Sequence, residues 1–143
     1  MAKFDLHNHI NLKRGISPAA AGTDNTAFVS QIVDTRGYGS VEFAILTGSL
    51  ADADATFTVL VEDGDQANLS DAVAVADAEL LGTEAQASFT FSDDDKVFKI
   101  GYVGNKRYVR VTITPANNTG NAFVAGVWIL GKPVIFPTPN PPA

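Results

Sequence analysis

Four segments of this chain alternate apolar and polar side chains with a period of two, and that alternation limits the fold more than any other feature. Val41, Phe43 and Ile45 share one side of 41–47, with Glu42, Ala44 and Leu46 on the other. Phe57, Val59 and Val61 do the same against Thr56, Thr58 and Leu60 in 55–62. Val109, Val111 and Ile113 oppose Tyr108, Arg110, Thr112 and Thr114 in 107–114. In 26–35, Phe28, Ser30 and Ile32 alternate with Val29, Gln31 and Val33. Successive side chains of a strand project to opposite faces, so each segment predicts a strand with one face toward a core. The residues are β-branched and aromatic, as a pleated, half-buried surface favours.

Turn signals separate these segments: Arg36-Gly37-Tyr38-Gly39, Gly48-Ser49, Asp63-Gly64 and Asp93-Asp94-Asp95. Gly104-Asn105-Lys106 between 97–103 and 107–114 predicts a hairpin. The nearly unbroken apolar run Ala122–Leu130 predicts a strand buried on both faces. Residues 86–92 read as a short strand with Phe89 and Phe91 inward. Residues 67–82 read as a long loop, with one helical turn capped by Ser70 or Asp71. About seven strands and no long helix predict an all-β fold, an antiparallel β-sandwich or a jelly-roll-like barrel.

The ends break the pattern. In residues 1–25, Phe4, Leu6, Ile10, Leu12 and Ile16 recur at mixed spacings, with Pro18 and Gly22 as punctuation, which predicts an extended N-terminal arm. Pro137, Pro139, Pro141 and Pro142 predict an extended, Pro-rich tail over 134–143, leaving 26–133 as the domain.

One domain is what 143 residues allow, and 45% apolar residues supply a core. Cysteine is absent, which excludes disulfides, thiolate metal sites and cysteine nucleophiles. No apolar run reaches the roughly 20 residues of a membrane-spanning helix, and the first 15 residues lack the apolar stretch of a signal peptide. The net charge of −6 is unevenly distributed. Residues 34–95 carry fourteen acids and one base, Arg36, whereas 96–143 carry six bases and no acid. Such blocks can pair within the fold, meet between copies, or hold an external anion. The acidic majority opposes the last, so neither nucleic-acid nor membrane binding is expected.

Few residues suggest chemistry. In Asp5-Leu6-His7-Asn8-His9 two imidazoles stand at i and i+2, the same side of a strand, so Asp5, His7 and His9 form a candidate divalent-metal set. This segment resembles the opening motif of the PHP phosphoesterases, but that family needs further histidines and His7 and His9 are the only two here. Glu62-Asp63-Gly64-Asp65 with Asp71 suggests a calcium loop, yet counting from Asp63 places Ala67, Asn68 and Ala74 where an EF-hand needs an oxygen ligand, glycine and an acid. Lys106, Arg107 and Arg110 flank Tyr108, a pattern that serves either stacked bases or acidic partners. No GxSxG, GxGxxG or P-loop occurs, and Trp128 lies in the apolar strand as a core residue. Neither a catalytic residue nor a cofactor is expected.

Residues 33–83, 97–120 and 122–133, above all the run GYVGNKRYVRV, resemble small structural proteins of tailed bacteriophages and prophages. The resemblance implies a non-enzymatic capsid decoration or cement protein on the capsid exterior of a virion assembled in the bacterial cytoplasm. Its partners would be the major capsid protein and copies of itself, in a trimer for example. Phe4, Leu6, Ile10 and Leu12 would anchor the arm, and Lys106, Arg107 and Arg110 would meet acidic neighbours. A head–tail connector or tail component is an alternative, and a sugar-binding sandwich a more remote one.

Overall fold

A computed structural model describes residues 1–142. Two antiparallel sheets face each other across one core. The first holds β1 (Ile10–Ile16), β11 (Ala122–Pro133), β4 (Tyr38–Leu50), β9 (Val97–Tyr102) and β7 (Leu80–Leu81), in that spatial order. The second runs β2 (Phe28–Val29), β10 (Tyr108–Ala116), β5 (Thr56–Gly64) and β6 (Val73–Ala74), with β3 (Val33–Asp34) also on β10 and β8 (Phe89–Thr90) on β5. The expected antiparallel sandwich is thus the observed fold. One short helix, α1 (Glu84–Ala87), packs below β5, with Thr83 and Gln86 forming a capping box.

The alternating segments bury the predicted faces. Val41, Phe43 and Ile45 of β4 meet Phe57, Val59 and Val61 of β5 and Val109, Val111 and Ile113 of β10, all in one core cluster. Trp128 of β11 lies at its centre, its ring 4.6 Å from that of Phe43. Phe89 is buried and stacks on Phe57 at 4.9 Å, but Phe91 is exposed, because the strand ends at Thr90. Residues 67–82 are more structured than a loop, since β6 and β7 add the outer edges of the two sheets. Neither Ser70 nor Asp71 caps a helix. Leu69 and Ala72 close successive turns there, and the Asp71 carboxylate accepts from the Asp65 and Gln66 amides.

Three other expectations are corrected. Residues 97–103 and 107–114 form no hairpin: β9 pairs with β4 and β7, whereas β10 pairs with β5 in the opposite sheet. The connection crosses the sandwich, and the Tyr102 hydroxyl secures the crossing by donating to Asp63 at 2.7 Å and accepting from the Lys106 amide at 3.0 Å. The second correction concerns β11, which is buried on one face only. Ala122, Val124, Trp128 and Leu130 point inward, while Phe123 is exposed and Ala125, Val127 and Ile129 are half-exposed.

The third correction concerns the arm and the domain boundary at 26. Residues 10–16 are the edge strand of the first sheet, paired with β11 from Ile10↔Gly131 to Ile16↔Gly126. Only residues 1–9 precede the sandwich. The tail folds back on this end instead of projecting. Thr138 is buried, its amide donates to the Asn8 carbonyl at 3.1 Å, and its hydroxyl donates to that of Ile10 at 2.5 Å.

Candidate functional site

Sheet-to-sheet packing leaves one seam open. β2 and β3 share an edge of β10, and between them residues 30–32 leave the ladder. The Ser30 hydroxyl takes the Val111 amide at 2.9 Å, and the Gln31 amide donates across to the Gly15 carbonyl of β1 at 2.9 Å. The Trp128 indole donates to the Gln31 carbonyl at 3.0 Å. The excursion therefore ties the second sheet to the edge strand of the first and leaves a groove of about 490 Å³ beside the tie. Lys13, Arg14, Gln31, Asp34, Arg36 and Tyr38 supply its functional side chains, over a floor of Ile32 and Val33. Lys13 sits at an inward register, opposite Trp128, and a charge is accommodated there because β1 is an edge and the interior opens beside it.

The polar groups of this groove are held in defined states. Asp34 accepts both Nε (3.0 Å) and Nη2 (2.8 Å) of Arg107, as well as the Arg36 amide at 3.0 Å. The Arg107 guanidinium beside it holds the Asp34 carboxyl below the usual carboxylate range. Tyr38 is half-buried, and its hydroxyl accepts from Asn11 Nδ2 at 2.7 Å. That hydroxyl has no other hydrogen-bond partner among the described residues, and Asn11 Oδ1 beside it is buried without one. Arg14 gives one Nη1 bond to the Ser17 hydroxyl at 3.1 Å. Among the described residues, Lys13, Arg14 and Arg36 enter no ion pair.

A second depression, about 520 Å³, lies on the outer face of the first sheet. Its lining of Ile16, Ala44, Leu46, Val97 and Val127 is aliphatic, with Leu46 54% and Val97 68% exposed. Arg14, shared with the groove, and Ser17 are its hydrogen-bonding side chains, and no aromatic ring lines it.

The residues singled out from sequence lie elsewhere. Phe4 and Leu6 are exposed before the first strand, Ile10 is half-buried in β1, and Leu12 is exposed on the outer face of the first sheet. Lys106, Arg107 and Arg110 meet acids of their own chain, at Asp65 (2.5 Å), Asp34 (2.8 Å) and Glu62 (2.8 Å). The opposed charge blocks therefore pair at these points within the fold. Asp5 folds over a 3-10 turn at His7–His9, accepting the Asn8 amide at 3.0 Å and its Nδ2 at 2.7 Å. His9 packs on the Phe136 ring at 5.0 Å, while His7 Nε2 lies 3.3 Å from Asn140 Nδ2. The two histidines occupy a helical turn rather than a strand and face different neighbours, and no cluster of three metal-ligating side chains occurs among the described residues. Asp63 and Asp71 of the calcium-like loop are engaged by Tyr102 and by backbone amides. Sequence reasoning missed the groove entirely. Its one signal was Arg36, the single base among fourteen acids.

No family model matches the chain, and no curated protein does. Among solved structures it is similar to the xylan-binding module CBM15, at 14% identity and a TM-score of 0.42, over 92% of this chain and 96% of that one. It is similar to the C-terminal family 22 carbohydrate-binding module of Clostridium thermocellum Xyn10B, at 10% identity and a TM-score of 0.40, over 92% and 99%. It is likewise similar to CBM32-1 from a family 31 glycoside hydrolase of Clostridium perfringens, at 18% identity and a TM-score of 0.40, over 90% and 100%. These likenesses concern sandwich architecture and say nothing of ligand.

The expected capsid decoration or cement role, and the connector or tail alternative, are corrected. Part of what was to bridge neighbours is engaged inside the molecule, although Phe4, Leu6 and Leu12 stay exposed. Residues 10–16 of the arm contribute a sheet strand, Thr138 of the tail packs against the start of that strand, and Lys106, Arg107 and Arg110 are paired.

Proposed function

We propose that this chain is a non-catalytic, saccharide-binding β-sandwich whose site is the groove between β1 and β3. The observation that carries this is the lining. A half-buried phenol, a primary amide, two guanidinium groups and an ionised carboxylate surround one open groove of about 490 Å³. A sugar presents hydroxyls that both donate and accept, and planar multi-atom side chains match neighbouring hydroxyls in pairs. The volume falls within the usual range for small-ligand sites, roughly 300–1,000 Å³. Trp128 gives no stacking platform, because it is buried.

The same lining supports a reading without glycoside hydrolysis. Glycoside hydrolysis ordinarily uses two carboxyl groups, one able to hold a proton. This groove has one, Asp34, and Arg107 keeps it ionised. The test is glycan-array binding by the full chain, with Gln31→Ala as the site variant. Retention on a defined saccharide set that weakens in Q31A supports the proposal. No retention on any saccharide, or retention indifferent to Q31A, overturns it.

A further inference from the structure

We infer that the groove selects acidic saccharides, meaning uronate-containing chains that carry a carboxylate on the sugar ring. This rests on the saccharide-binding proposal and specifies its ligand. The chain has a net charge of −6, yet Lys13, Arg14 and Arg36 line one groove and enter no ion pair among the described residues. Of the other seven bases, Lys96, Lys106, Arg107 and Arg110 each have a carboxylate within 2.8 Å, while Lys3, Lys99 and Lys132 are unpaired among the described residues but lie outside this groove. Asp34, the one acid in the groove, is already matched by Arg107 from outside it, so it does not neutralise the three cations. Three like charges around one cavity repel each other, and a ligand bearing carboxylates relieves that repulsion as it binds. Guanidinium groups favour planar carboxylates, which they bind through two parallel hydrogen bonds.

The lining favours a uronate chain over a nucleic acid. A single-stranded nucleic acid binds largely by stacking its bases on exposed aromatic platforms, and Tyr38 is half-buried with its hydroxyl bonded to Asn11. A uronate chain presents hydroxyls to Asp34, Gln31 and Tyr38 between its carboxylates.

The test is calorimetric titration of the full chain with three probes: trigalacturonate, its fully methyl-esterified form, and single-stranded oligothymidylate. Lys13→Gln and Arg36→Gln serve as variants, and their thermal midpoints, matching the parent's, certify folding. Trigalacturonate should bind about tenfold or more tighter than its ester, and the gap should shrink as salt is raised. Each variant should narrow the gap severalfold, because the acid loses more affinity than the ester does. If acid and ester bind equally, the inference fails and saccharide binding stands. If no saccharide binds, both fail. If oligothymidylate binds as tightly as trigalacturonate and weakens in the same variants, the groove is a general polyanion site and the inference is overturned.

Discussion

The Tyr102 hydroxyl donates to an Asp63 carboxylate oxygen at 2.7 Å, and the two residues belong to opposite sheets. Both are buried. Burial, reinforced by the neighbouring Asp63 charge, pushes the Tyr102 phenol far above its ordinary range, so it remains a donor at every working pH. Tyr102→Phe should leave Asp63 buried without that donor and lower stability by about 1–3 kcal/mol. Asp63→Asn in the Y102F background should cost less than it does in the parent, since the charge to be satisfied is gone. Urea denaturation of the double-mutant cycle reads the coupling, and additive effects would contradict a shared bond.

This contact also explains what the sequence hid. Strands β4, β5 and β10 were legible because Val41, Phe57 and Val109 each begin a run in which every second side chain is buried. The step from β9 to β10 was not, because Gly104-Asn105-Lys106 signals a reversal but not which sheet receives the next strand. The crossing depends on a partner 39 residues away, Asp63. In β11 the apolar run gave the strand and not its cover: nothing local distinguishes Val127, on the open outer face, from Val124, in the core. Strand β1 was illegible because Lys13, Arg14 and Gly15 interrupt its alternation. The groove was illegible for a related reason. Arg14 and Arg36 are distant in sequence and come together only where Gln31 is tied to Gly15.

Gly15 and Gly126 lie over the Phe43 ring, at the point where the β1–β11 register shifts. A Cβ on Gly15 would come 2.5 Å from Phe43 Cε2, and one on Gly126 would overlap the same ring while facing no flexible chain end. Gly126→Ala should therefore displace Phe43 against Trp128 and cost about 1–3 kcal/mol, as overpacking of a dense core does. Phe43→Leu in that background should recover part of the loss. Thermal midpoints of the three proteins check this, and an unchanged midpoint in G126A would show that the ring has room.

Truncation separates the end of the chain from the fold. Residues 1–9 contribute no strand, whereas 10–16 complete the first sheet and carry the Gly15 carbonyl that holds Gln31. Removing 1–9 should leave a cooperatively folded protein with native near-ultraviolet dichroism from Trp128. Removing 1–16 should uncover β11, the indole side of the core and the groove together. That protein should lose cooperative unfolding or aggregate, because β11 becomes an unprotected edge. A 17–143 fragment with native dichroism would show that β1 is dispensable.

Acid should weaken the fold through carboxylates that are bonded in the native state. Arg107 lowers Asp34, Lys96 lowers Asp93, and the Asp54 and Thr119 amides lower Asp52. A folded-state value below the unfolded one, near 3.9, adds stability that is complete above that unfolded value. It is lost as pH falls through the lower folded value. Glu42 acts oppositely: burial raises it, so protonation in mild acid relieves a small native-state cost. The urea midpoint should therefore stay flat from neutrality to about pH 5 and fall below about pH 4. Arg107→Gln should remove the Asp34 share and lower the neutral plateau only slightly, since that pair is largely exposed. The same substitution should make the acid limb shallower. A limb equally steep in parent and R107Q would show that Asp34 titrates as it does in the unfolded chain.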